Sequence, residues 1–182
     1  METIAVVGAG NVLFYDEGVG VFAQRFLDEN YEFSKNVTIV DGGVLGFQLM
    51  TYYQDYDKVL ILDTITMHNE EAGTIYSIPA EELLGLGSYK QNAHEVEIVE
   101  MLEICSLLDK MADVKIVGIV PQDIIEVKTD LTPRLKANFD NFINTALNEL
   151  QAMGVEIKEK PNKKSLEDII KLYSDPKAER LQ

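Results

Sequence analysis

Short unbroken apolar runs alternate along this chain with longer stretches whose apolar residues recur every third or fourth position. Thr3–Val7 is apolar and β-branched and stops at Gly8; Val37–Val40 ends at Asp41-Gly42-Gly43. Lys58–Leu62 is apolar throughout its interior, and Val114–Val120 closes on Pro121. Runs of this length without polar alternation suit strands buried on both faces, as in the middle of a parallel sheet. Thr74–Ile78 alternates instead and follows Gly73, the pattern of an edge strand. Helical spacing fills the intervals. Gly18–Asn30 places Phe22, Phe26 and Leu27 on one face, Leu45–Tyr53 reads as a short helix, and His94–Lys110 repeats Val96, Val99, Leu102, Cys105 and Leu108. The clearest helix runs from Thr132 to Met153. Thr132 suits its N-cap, Pro133 its first turn and Gly154 the residue past its end. Strand and helix thus alternate, which predicts an α/β fold with a mostly parallel sheet of about five strands and helices on both faces.

Length narrows this to one domain, since 182 residues bury a sizeable core without disulfide or structural metal. Residues 1–155 carry the alternating pattern. Residues 156–182 form a polar C-terminal extension in which Ser165-Leu166-Glu167-Asp168 opens a short amphipathic helix. Charge is uneven: residues 1–155 hold 9 basic against 25 acidic side chains, within a total of −15. A body so acidic repels phosphate backbones, so no nucleic-acid partner is expected. A lone cysteine forms no internal disulfide, Met1-Glu2-Thr3 lacks a basic leader, and no apolar run reaches membrane-spanning length. A cytoplasmic protein with no membrane partner is the expectation.

Candidate chemistry sits where these elements meet loops. Glu17 follows the first strand, Asp63 ends the third and His94 begins a helix. In α/β folds such positions face a crevice at the carboxyl ends of the strands. Two carboxylates and an imidazole make an open metal site of mixed oxygen and nitrogen donors. A helix start also disfavours the imidazolium and leaves His94 a neutral ligand, although an ordinary capping residue fits there equally well. Other patterns fail. Gly8-Ala9-Gly10 begins like a dinucleotide fingerprint, but its third glycine would fall on Leu13, and Asp16-Glu17 would repel pyrophosphate. These glycines read better as a tight turn. His94-Glu95 lacks a second histidine at Ile98, no Gly-x-Ser-x-Gly elbow exists, Cys105 lies on an apolar stripe, and His68 sits in a polar loop.

Taken in order, the segments resemble one family closely. They are Gly8-x-Gly10-Asn11 with Asp16-Glu17-Gly18, Asp41-Gly42-Gly43, Leu62-Asp63, Gly73-Thr74, His94, and Gly118-Ile119-Val120-Pro121 with Leu131-Thr132-Pro133. Through about residue 155 the chain resembles the hydrogenase maturation endopeptidases. That resemblance implies a three-layer α/β/α sandwich. It also implies a single cut that removes the C-terminal extension of a nickel-iron hydrogenase large-subunit precursor after nickel insertion. The family's nickel-contacting positions fall on Glu17, Asp63 and His94, which would act through the metal, and Asp41, Gly42 and Gly43 would lie near the cleft. Nickel would come with the substrate rather than stay bound to the free enzyme, which is expected to be a monomer. Thr64 stands where the family usually has alanine and Glu97 where it commonly has glycine; the extension from about Asn162 carries no family role. A non-catalytic nickel-binding maturation factor using the same ligands is the alternative.

Overall fold

The computed structural model describes residues 1–43, 48–67, 69–82, 103 and 111–175. Its centre is a five-stranded sheet built from β1 (Ile4–Ala9), β3 (Val37–Gly43), β4 (Lys58–Thr64), β5 (Ile75–Pro79) and β6 (Asp113–Ile119) in the order β3-β1-β4-β6-β5. β1 pairs parallel with β3 and β4, and β4 parallel with β6. Only β5, at the edge, runs antiparallel to its neighbour. This is the expected sheet, with the alternating segment at its edge. The strand interiors explain the order: β1 and the middle of β4 are fully buried, so each needs a neighbour on either side.

Alternate side chains of each strand feed opposite faces. Ile4, Val6, Leu60, Leu62, Val117 and Ile119 pack against α1 (Val19–Asn30), α3 (Pro133–Ala152) and α4 (Leu166–Ser174). Ala5, Val7, Val59, Ile61, Val114 and Ile116 face the other way, where α2 (Gln48–Asp55) contributes Leu49 and Tyr53. Thr132 caps α3, accepting from the Leu135 N–H at 3.4 Å, and Gly154 past its end takes φ +83°. No helix among the described residues is long and apolar enough to cross a membrane.

A second, two-stranded sheet went unread in the sequence. β2 (Tyr31–Phe33) pairs antiparallel with β7 (Ile157–Glu159). Each has three residues, too few to display a period of two, and they meet across more than a hundred residues of chain.

One polar cluster ties the antiparallel edge to α3. Glu149 accepts from Ser77 Oγ at 2.6 Å and pairs with Lys115 Nζ at 2.7 Å. Burial by itself raises the Glu149 carboxyl, but the Lys115 ammonium and the Ser77 hydroxyl outweigh it and hold the group below its ordinary value of 4.5. A carboxyl depressed in the folded state stabilises the fold above its unfolded value and ceases to do so as pH falls through its folded one. Glu149→Gln should therefore lower Tm at neutral pH. Its deficit against the parent should shrink below pH 4.5, as melting curves taken across the acid range would record.

Candidate active site

At the carboxyl ends of the parallel strands, the chain between β1 and α1 folds back on itself. Gly10 leaves β1 with φ +135° and donates its N–H to the Gly43 carbonyl at 2.9 Å. A 3₁₀ turn, Tyr15–Gly18, then leads into α1. A side chain at Gly10 would overlap the Glu17 carbonyl oxygen, so the turn that carries Glu17 rests directly on the end of β1. Gly20, in the first turn of α1, is equally confined: any Cβ there would overlap the carbonyl oxygens of Ala9 and Leu62. This close seat locks the start of α1 onto β1 and β4 together. Glu17 comes three residues before Gly20 and Asp63 one residue after Leu62, and the 3₁₀ turn packs against β4.

Glu17 is half-buried, whereas Asp63 is only 1% exposed. Asp63 Oδ1 accepts from the Thr64 N–H at 2.7 Å, an arrangement that fixes the carboxylate at the strand end. Across the sheet Asp63 stands opposite Gly118, whose missing side chain is replaced by Ile65 packed over it. Two of the three anticipated metal-binding residues are thus brought to one end of the sheet. The third, His94, lies outside the described residues, as do Glu97, His68, Cys105 and, apart from Glu103, the helix expected over 94–110. The described residues alone contain no cluster of His, Cys, Asp and Glu sufficient to hold a metal. Glu17 and Asp63 supply oxygen donors of the kind a divalent ion accepts, and a nitrogen donor would complete a mixed set.

Asp41 lies opposite Gly8 on the far side of β1 from β4. Two strand spacings put its backbone roughly 10 Å from that of β4, and it lines one pocket together with Gly10 and Gly43. Its Oδ1 accepts from the Gly43 N–H at 3.0 Å and shapes the Asp41-Gly42-Gly43 loop.

Asp16 departs from the sequence reading, which set it beside Glu17 as an anionic pair. It is fully buried. Its Oδ2 accepts from the Gln122 N–H (2.9 Å), the Asp123 N–H (3.0 Å) and Thr132 Oγ1 (3.0 Å), and its Oδ1 from the Thr132 N–H (2.8 Å). Its own N–H donates to the Asp123 carbonyl at 3.0 Å. The carboxylate is a strut between the Glu17 turn, the loop after β6 and the cap of α3. Nothing local distinguishes it from Glu17; the donors arrive more than a hundred residues later.

That loop also carries apolar side chains into solvent. Ile125 is 83% exposed, Val127 75% and Leu13, on the neighbouring loop, 55%. Their backbones are joined, with the Lys128 N–H donating to Leu13 at 2.9 Å and the Tyr15 N–H to Lys128 at 3.0 Å. Asp123 Oδ1 holds the Ile125 and Glu126 N–H groups at 2.8 and 3.0 Å.

Comparison with known proteins assigns the chain. The model of the hydrogenase maturation protease family matches residues 23–149. The hydrogenase expression/formation protein HupD of Rhizobium leguminosarum bv. viciae is 30% identical over 160 residues, covering 87% of this chain and 79% of HupD. The hydrogenase 2 maturation protease of Escherichia coli K12 is 29% identical, over 84% of this chain and 93% of its own. Among solved structures, the hydrogenase maturating endopeptidase HybD from E. coli superposes with a TM-score of 0.80 at 28% identity, covering 87% of this chain and 98% of HybD. The HybD protease of Thermococcus kodakarensis shares the fold with a TM-score of 0.66 at 24% identity, over 81% of this chain and 98% of its own. With its sheet order, helical layers and sequence in agreement, the chain belongs to the hydrogenase maturation protease family and is an endopeptidase of hydrogenase maturation.

Proposed function

We propose that this endopeptidase makes a single cut that removes the C-terminal extension of a nickel-iron hydrogenase large-subunit precursor, and that it does so in the cytoplasm once nickel has been inserted. Glu17, Asp63 and His94 complete the shell of the nickel that the precursor carries. The observation that supports this most is the seat of Gly20 on the Ala9 and Leu62 carbonyls, because it brings the Glu17 turn beside Asp63 at one end of the sheet. Oxygen and nitrogen donors alone accept several divalent ions, so the choice of nickel belongs to the substrate's own ligands. The enzyme's residues then act on a loaded precursor and have little to hold in an empty one.

Hydrolysis requires a water to add to the scissile carbonyl, the C–N bond to break and the departing amine to take a proton. With nickel anchored at this end of the sheet, the adjoining peptide is held in the cleft walled by Gly10, Asp41 and Gly43. Two routes fit that arrangement. The substrate's metal polarises the carbonyl or water, or Glu17 or Asp63 takes the proton from water directly. The exposed Leu13, Ile125 and Val127 suit a folded protein as the partner.

Incubating the enzyme with nickel-loaded and nickel-free precursor, and weighing both by mass spectrometry, tests this reading. The loaded form should lose one C-terminal peptide and the nickel-free form should keep its full mass. Equal cutting of both forms would overturn the role given to nickel, and cutting of neither would overturn the proteolytic reading.

A further inference from the structure

The C-terminal segment does not trail away from the body; it returns to the cleft. Fully buried Asn30, the last residue of α1, fixes its register. The Asn30 side chain donates Nδ2 to the Lys164 carbonyl at 3.0 Å and accepts the Lys164 N–H at 2.6 Å, while its own carbonyl accepts from the Lys160 N–H at 2.9 Å. Ser165 and Asp168 then form a reciprocal capping box that starts α4 beside the far end of α1. Ile169 and Ile170 are buried in the same core as α1. The helix runs back along α1 for about 13 Å, at 1.5 Å per residue, and ends near the first turn of α1, where the site lies. There Tyr173 meets Phe22 edge to face, with ring centroids 5.5 Å apart at 74°.

At that point Tyr173 forms one wall of an open pocket of about 200 Å³, whose other walls include Gly10, Val12, Val21, Asp41 and Gly43. Gly10 is the residue on which the Glu17 backbone rests, so the pocket adjoins the candidate catalytic turn. Its volume is below the roughly 300–1,000 Å³ of small-molecule sites and suits a single side chain. Its chemistry is apolar on three sides, from Val12, Val21 and the Tyr173 ring. The glycines offer bare backbone, Asn11 turns its Oδ1 onto the Leu13 N–H at 3.0 Å, and one Asp41 oxygen is turned onto the Gly43 N–H. We propose that this pocket receives one apolar side chain of the precursor near the scissile bond, and that Tyr173 makes the C-terminal helix a determinant of substrate selectivity. The proposal rests on the reading that the Glu17 end of the sheet engages the hydrogenase precursor.

Steady-state cleavage of nickel-loaded precursor tests it, alongside a direct measurement of precursor binding. Tyr173→Ala should raise KM about tenfold, the effect of truncating an anchoring contact, and leave kcat within about twofold. Tyr173→Phe, which keeps the ring against Phe22, should restore the parent KM. Leu172→Ala serves as the control, because Leu172 packs on the core from the same helix without lining the pocket. It should lower Tm and leave KM alone. A parent-like KM and affinity in Tyr173→Ala would overturn the proposal, as would an equal rise in KM for Leu172→Ala. If the parent binds precursor but never cuts it, the proteolytic reading fails. Tenfold weaker binding by Tyr173→Ala would still uphold the pocket, and unchanged binding would sink it.

Discussion

Glu17→Gln, Asp63→Asn and His94→Ala should each yield a folded protein that no longer processes the precursor at a useful rate. Glu17→Gln keeps the side chain's volume and removes its charge from a half-buried position at the start of α1. The changes asked of packing are small, so Tm should move by an amount corresponding to roughly 0.5 kcal/mol or less. Asp63 is buried, but an asparagine oxygen can accept the Thr64 N–H that Asp63 Oδ1 accepts now at 2.7 Å. His94→Ala removes the one nitrogen donor of the proposed set. Each change takes one donor from a shell that the enzyme only completes, so processing should fall by about a hundredfold or more, whether the lost group binds metal or moves a proton. Time courses of precursor cleavage, read with circular dichroism and melting curves on the same samples, separate the two effects. Parent-like cleavage by Glu17→Gln would remove that residue from the site.

Asp16→Asn should instead cost stability, although it changes the adjacent residue in the same conservative way. Every group facing the Asp16 carboxylate is a donor: three backbone N–H groups and the Thr132 hydroxyl. A carboxylate satisfies them all, but an amide must turn its NH₂ toward at least one. A buried donor left without an acceptor costs about 1–3 kcal/mol, and the charge-assisted strength of the remaining bonds is lost as well. A loss of roughly 3 kcal/mol or more is expected, with urea unfolding as the measurement. Because the same carboxylate joins the Glu17 turn to the loop after β6, processing should decline as that joint loosens. A variant with the parent's unfolding midpoint would show that the strut carries no weight.

This contrast also shows what was legible in the sequence. The apolar interiors of β1 and β4 announce their burial, and Thr132, Pro133 and Gly154 delimit α3 through chemistry local to each residue. The alternation of Thr74–Ile78 marks an edge, and the strand found there, Ile75–Pro79, lies at one. Asp16 and Glu17 carry the same functional group side by side, and no local rule tells strut from candidate ligand. What distinguishes them is where residues 122–132 return. By residue type the first glycines read likewise as a tight turn. Gly10 does turn, but its lack of a side chain also admits the Glu17 backbone, a contact between main chains that leaves no pattern in residue types. The same limit hid β2 and β7, and it hid the return of α4 to the cleft, which depends on Asn30 holding Lys164.

Nickel K-edge absorption on frozen samples tests most directly whether the enzyme completes the substrate's metal shell. Spectra of nickel-loaded precursor alone should report the ligands that the precursor itself supplies. Adding the parent enzyme and freezing before turnover should introduce new oxygen or nitrogen scatterers at about 2.0–2.2 Å, the range of carboxylate and imidazole donors to first-row divalent ions. Adding Glu17→Gln should introduce fewer. A nickel spectrum unchanged by the parent enzyme, in a sample that goes on to cleave when thawed, would contradict coordination by Glu17, Asp63 and His94.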